Sequence, residues 1–197
     1  MQVSGHMTPN PVTISSQATV DQALALMRER DVRHLPVVDD GAVKGLVTDI
    51  DLRTAWFPSL LSELTVKDLM NSHPLMVQAT DNVFQAARLL YHHKVTGLLV
   101  MEHGRLAGII TLADLLKVFM EFMGLLQDSV RIDLALRPGP GSLEEVHGLI
   151  QGQGGKVISV ALLSSEAARR IYSFRLEPIE IAPVVASLRA AGHEVLS

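Results

Sequence analysis

The chain has 197 residues, of which 48% are hydrophobic and 19% charged, a globular composition that excludes a disordered or collagen-like chain. Seventeen basic against 21 acidic side chains give a net charge of −4 spread along the whole length, so no basic field points to nucleic acid, and aromatics at 4% supply no stacking platform for single strands. Cysteine is absent, which excludes disulfides, thiolate metal sites and cysteine nucleophiles.

The N-terminus, MQVSGHMTPNP, lacks the basic-then-apolar order of a signal peptide, and the most apolar stretch, Leu115 to Leu126, is interrupted by Lys117 and Glu121. A cytoplasmic protein without a membrane or nucleic-acid partner is expected. The first element is a short extended piece, Val12 to Ile14, placed after a proline that disfavours helix at the residue before it. Val20, Ala23, Leu24 and Met27 then recur at helical spacing. Two apolar runs follow, Leu35 to Val38 and Val43 to Val47, around Asp39-Asp40-Gly41-Ala42, a hairpin turn with glycine at its strained position. A second helix is expected from about Asp49.

The same order then repeats. Shifting the chain by 63 positions places Val3 on Val66, Met7 on Met70, Pro11 on Pro74, Val20 on Val83, Gly45 on Gly108, Thr48 on Thr111 and Asp51 on Asp114 without a gap. The second copy reads as an extended Leu75 to Val77, a helix through Val83, Ala86, Ala87 and Leu90, a hairpin of Gly97 to Met101 and Leu106 to Ile110, and a helix from Leu112. The repeats are assigned to residues 1–62 and 63–127, packed as a pseudo-symmetric pair. After Asp128 a different unit begins, residues 128–197. It reads as a strand from Val130 to Leu136, a helix from Leu143 to Gln151, strands Lys156 to Leu163 and Arg170 to Leu176 joined by a turn at Ser164 to Ala167, a helix from Ile179 to Ala191 and a strand from Glu194 to Leu196. That order is β-α-β-β-α-β, the ferredoxin-like arrangement, and the whole chain is of mixed α/β class.

The segments RHLPVVDDGAVKGLVTDIDLR and TGLLVMEHGRLAGIITLADLL, each preceded by Met-x-x-x-Pro and a helix, resemble paired CBS domains, the Bateman module. That resemblance implies an adenosine nucleotide bound in the cleft between the copies. Its ligand motif matches Gly45-Leu46-Val47-Thr48-Asp49-Ile50-Asp51 and Gly108-Ile109-Ile110-Thr111-Leu112-Ala113-Asp114. Thr48 and Thr111 end a strand and can cap the next helix near a phosphate, and Asp51 and Asp114 can accept from ribose hydroxyls. The implied nucleotide contacts are Ile14, Arg33, His34, Leu35, Pro36, Val37, Thr48 and Asp51 in copy one, and Val77, Thr96, Gly97, Leu98, Val100, Thr111 and Asp114 in copy two. Main-chain groups of the strands would read the adenine edge. Arg33, His34 and Arg53 face Thr96, Gly97 and Leu116 at the matching positions, so the first site is expected to favour phosphate. The bland alternative is that Thr-x-x-Asp is a capping pair that serves the helix alone.

The C-terminal third resembles an ACT domain through Arg137-Pro138-Gly139-Pro140-Gly141-Ser142-Leu143 and Gly154-Gly155-Lys156-Val157. This implies a possible amino-acid site at Pro138, Gly139, Gly141, Ser142 and Leu143. Two CBS repeats followed by such a unit are similar to acetoin-utilisation regulatory proteins of the AcuB type. Gly152-Gln153-Gly154-Gly155-Lys156 leads into a strand and lacks the Ser/Thr of a phosphate loop, and the histidines lack metal-ligand spacing. No catalytic motif is present, so the expectation is a non-enzymatic regulator without catalytic cofactor or metal. It would be a homodimer, with the apolar helix from Leu115 to Leu126 as a contact surface, acting on an unidentified metabolic enzyme or regulator. The alternative is an amino-acid-responsive subunit with the repeat pair as scaffold.

Overall fold

In the computed structural model the described residues are 1–53, 64–166 and 169–196. The first repeat contains β1 (Thr8–Pro9), α1 (Val20–Glu29), β2 (His34–Asp39), β3 (Ala42–Thr48) and α2 (Asp49–Arg53). The second contains α3 (Val66–Leu69), β4 (Met76–Gln78), α4 (Val83–His93), β5 (Gly97–Glu102), β6 (Arg105–Thr111) and α5 (Leu112–Phe122). Helices α1 and α4 both open on a capping box, from Thr19 with Gln22 and from Asn82 with Gln85. Each closes on one residue in the left-handed region, Asp31 or Lys94. The two hairpin turns place Asp40-Gly41 and His103-Gly104 at positive φ, the pair of left-handed residues that a two-residue turn between twisted strands needs.

What the repeat does not announce is an exchange of lead segments. Thr8 and Pro9, at the start of the first repeat, pair with Ile109 and Gly108 of the second. Asn71, in the lead of the second repeat, bridges Leu46 of the first through two main-chain hydrogen bonds of 2.9 and 3.0 Å. The rest of the lead follows: Val66 and Lys67 N–H groups donate to Ala18 and Ser16, as Val3 and Ser4 donate to Asp81 and Ala79. Val66, fully buried, belongs to the core of copy one with Val20, Ala23, Leu35, Val37, Val47 and Leu52. Burying a valine in this way contributes about 1.5–3 kcal/mol. The copies also meet directly, through buried Leu46, Leu99 and Ile109.

The glycine at the head of each motif makes this exchange possible. A Cβ on Gly45 would stand 2.6 Å from the Asn71 carbonyl oxygen and 2.8 Å from Met70 Sδ. On Gly108 it would meet Met7 Sδ and, at 2.9 Å, the Thr8 carbonyl oxygen. The repeated Met-x-x-x-Pro therefore lays a thioether and a carbonyl on the partner copy's glycine. Within the sequence motif, glycine serves packing, whereas threonine and aspartate bond to each other at the strand end.

The chain divides into two compact units, Met1–Leu116 and Lys117–Ser197. The second holds β7 (Val130–Ala135), α6 (Ser142–Gly152), β8 (Val157–Glu166), β9 (Arg169–Leu176), α7 (Ile181–Ala190) and β10 (Glu194–Val195). Its sheet is antiparallel throughout in the order β10-β7-β9-β8, the split β-α-β-β-α-β topology read from the sequence. Ile132, Leu134, Val146, Ile150, Phe174, Leu176, Val184 and Leu188 form its core. The β8–β9 hairpin strands run further than the sequence pattern indicates. The expected turn at Ser164 to Ala167 lies partly outside the described residues, as does the end of the first repeat at residue 62.

Gly45→Ala forces a main-chain carbonyl to move and should destabilise the first unit by about 1–3 kcal/mol. Gly41→Ala meets open space and carries only the cost of its positive φ, about 1–2 kcal/mol. Urea denaturation of both variants checks the difference in origin: adding Met70→Ala should recover part of the Gly45→Ala loss and none of the Gly41→Ala loss.

Candidate functional site

Both Thr-x-x-Asp motifs fold into the same small structure. Thr48 donates from its N–H (2.8 Å) and its Oγ1 (2.7 Å) to Asp51 Oδ2, and the Asp51 N–H donates back to Thr48 Oγ1 at 3.3 Å. Thr111 and Asp114 reproduce these three bonds at the same lengths. A third pair, Thr65 and Asp68 in the exchanged lead, makes the first two of them at 2.8 and 2.7 Å. The pattern is thus a helix-opening device first. Two of its three copies stand at the ends of β3 and β6, opposite His34 and Gly97 respectively, and that register decides what surrounds them.

His34 reaches across the pair. A hydrogen bond of 2.8 Å joins its Nε2 to Thr96 Oγ1, and its Cδ2 lies 3.0 Å from where a Gly97 Cβ would stand. Partial burial holds the imidazole pKa below its ordinary 6.5 and outweighs the carboxylates of Asp49, Asp51 and Asp114, which act in the opposite sense, while Arg33 acts with burial. One imidazole therefore feels both motif aspartates. Arg33 turns outward into a cavity of about 520 Å³ on copy one, with Arg28, Arg53, Asp31 and Asp49 as its charged lining. Thr48 and Asp51 are not among the residues lining it.

The remaining expected contacts are placed differently. Leu35, Val37, Leu98 and Val100 are fully buried, Pro36 and Gly97 are buried, and Ile14 and Val77 are nearly so. The side chains of Ile14, Leu35, Val37, Val77, Leu98 and Val100 lie in the core, and Ile14 pairs with Val37 as Val77 pairs with Val100. These positions can offer a ligand only main-chain groups. The Pro36 carbonyl already accepts from Ile14. Among the described residues no cluster of ligating side chains could hold a metal ion.

In the second unit, Pro138, Gly139, Gly141, Ser142 and Leu143 line one cavity of about 560 Å³, together with Arg170 and Tyr172 of β9. Gly139 and Gly141 have φ of 146° and 81°, which only glycine adopts without strain. Ser142 Oγ donates to the carbonyls of Arg137 and Gly139 at 2.8 and 2.7 Å. The Arg137 N–H donates to Nδ1 of buried His193 at 3.2 Å, and Arg137 also holds Glu145 at 2.9 Å. His193, Arg170 and Tyr172 escaped sequence reasoning because each lies more than 25 residues from the loop it supports, with no spacing to connect them.

Because its folded pKa lies below 6.5, His34 leaves the folded chain with fewer protons than the unfolded chain as pH drops beneath that value, so its contribution to stability is lost on acidification through this window. Histidine NMR should report a His34 midpoint under 6.5. His34→Gln should flatten the pH dependence of unfolding between pH 6.5 and the measured midpoint. A midpoint above 6.5 would contradict the burial argument.

The model of the CBS domain family matches this chain twice, over residues 3–57 and 66–121. A CBS domain-containing protein of Dictyostelium discoideum is 33% identical over 130 residues, which span 59% of this chain and 90% of that protein. The solved structure of CBSX2 in complex with AMP is 35% identical with a TM-score of 0.54, over 60% of this chain and 96% of that one. A putative acetoin utilization protein (AcuB) from Vibrio cholerae is 30% identical with a TM-score of 0.56, over 64% and 93% of the two chains. With more than half of its length matched by two copies of the family model, this chain belongs to the CBS domain family.

Proposed function

We propose that the protein is a non-enzymatic regulatory sensor whose repeat pair, residues 1–62 and 63–127, binds an adenosine nucleotide of the AMP, ADP or ATP type. The observation that carries this reading is the convergence of two Gly-x-x-Thr-x-x-Asp motifs on one imidazole that bridges the copies. The likeness to CBSX2, which holds AMP, supports the ligand class. Asp51 would accept from ribose hydroxyls, Arg33 and Arg53 would meet phosphate, and main-chain groups near Leu35 to Val37 would read the adenine edge. A phosphate beside His34 would favour its protonated form, so binding should tighten as pH falls towards the His34 midpoint. The bound ligand changes the packing of the copies in proportion to its difference in affinity between the two arrangements. No catalytic cofactor is part of this reading.

The protein would act in the cytoplasm as a homodimer on a metabolic enzyme or regulator; the cysteine-free composition fits a reducing compartment. The exposed Leu116, Phe119 and Phe122 of α5 support a contact surface. The likeness to AcuB supports a place in acetoin or acetate metabolism. The loop cavity beside Arg170 and Tyr172 favours a second reading, in which residues 128–197 form an ACT-like unit that responds to an amino acid while the pair serves as scaffold.

Thermal unfolding with AMP, ADP, ATP and amino acids separates the two. A nucleotide at 100 times its Kd should stabilise the chain by about 2.7 kcal/mol. Thr48→Ala with Asp51→Ala should cost about 1 kcal/mol as a lost cap and should also abolish the nucleotide-dependent gain. A gain unchanged in that double variant would overturn the site. Gains with amino acids only, lost in Gly141→Ala, would transfer sensing to the second unit.

A further inference from the structure

The loop between β7 and α6, which shapes the cavity of about 560 Å³ in the second unit, is fastened from within and from outside. From within, Ser142 Oγ donates to the carbonyls of Arg137 and Gly139. From outside, His193, between α7 and β10 with its side chain fully buried, accepts the Arg137 N–H at Nδ1 over 3.2 Å. Because Nδ1 accepts, the neutral ring carries its proton on Nε2. That atom is buried and has no hydrogen-bond partner among the described residues. Glu145 Oε2 of α6 stands 3.5 Å from it, and the Arg137 guanidinium holds the same oxygen at 2.9 Å. Glu145 and Arg137 are the charged groups that face the ring from α6 and from the loop. On the flanking elements, Arg189 of α7 and Glu194 of β10 are exposed, and Asp133 of β7 is bonded to Arg131.

The two ring nitrogens respond to a further proton in opposite ways. Nδ1 turns from acceptor to donor, so two buried donors, Nδ1–H and the Arg137 N–H, are set against each other. Nε2–H meanwhile gains a positive charge beside the Glu145 carboxylate, an ion pair that supports the imidazolium. One end of the ring thus accommodates protonation, and the other expels the loop.

We propose that His193 is a proton-operated latch on this cavity: neutral, it ties the main chain at Arg137 and keeps the loop of residues 137–142 in place; protonated, it pairs with Glu145 and releases that loop. A ligand of the cavity is then held more weakly in acid. The latch rests on the second reading above only for the identity of that ligand, since the loop itself responds without one.

Solution NMR of the isotope-labelled full chain, free of ligand, tests this between about pH 8 and 5, the range in which histidine changes charge. At the upper end, a scalar coupling across the N–H···N bond should join the Arg137 amide to His193 Nδ1. It should vanish as His193 titrates, and the amide signals of Gly139 and Gly141 should move along the same curve. His193→Asn, whose Oδ1 can accept in the place of Nδ1 and does not titrate, should leave those two signals flat although the exposed His147 of α6 still titrates. Glycine amides that stay still while His193 titrates would overturn the latch. So would a His193 that stays neutral down to about pH 5 in the folded chain, or glycine signals that titrate unchanged in folded His193→Asn. Should the asparagine variant unfold, the wild-type curves alone decide. Absence of any amino-acid gain in thermal unfolding would overturn the second reading and leave the latch standing.

Discussion

The approach of a main-chain carbonyl to a residue without a side chain, Asn71 on Gly45 and Thr8 on Gly108, is the contact on which the first unit depends. It lets the lead segment of each repeat complete the sheet and core of the other copy. Once the leads are exchanged, the copies are tied at four places related by the repeat, Gln2 to Asn82, Thr8 to Ile109, Thr19 to Thr65 and Leu46 to Asn71. Main-chain pairing of this kind leaves little freedom to slide, because a one-residue slip would turn every buried side chain outward. The ends of β3 and β6, and with them the two Thr/Asp pairs, are brought by these ties to where both motif aspartates act on the His34 imidazole.

Position 34 is where the two copies meet through a side chain, His34 Nε2 on Thr96 Oγ1. A partly buried imidazole between three carboxylates and an arginine is a sensitive element, since desolvation and the carboxylates pull its protonation in opposite directions. Anything that adds negative charge nearby alters that balance. In a sensor this couples ligand charge to the bond between His34 and Thr96, and so to the seam between the copies. The direction of coupling follows from the free energy difference between arrangements and not from the existence of the seam.

Much of this was legible in the residues. The 63-residue period gave the pair, the Asp-Gly and His-Gly turns gave the hairpins, and the Thr-x-x-Asp spacing gave both caps. The split β-α-β-β-α-β order of the second unit was readable from alternating apolar runs and glycine-rich breaks. The exchange of leads was not, because a repeat is silent about which copy each segment packs on; only the pairing of Met7 with Gly108 and Met70 with Gly45 resolves it. Nor could spacing show that Leu35, Val37, Leu98 and Val100 spend their side chains on the cores, or that His34 turns towards the opposite copy. His193 supports a loop 56 residues away by accepting the Arg137 N–H at its Nδ1, a relation that has no periodic signature.

The most direct test of the account is a crystal structure of the full chain grown with AMP. The account predicts nucleotide density beside Thr48 and Asp51, with phosphate towards Arg33 and Arg53. AMP bound away from both motifs would contradict it.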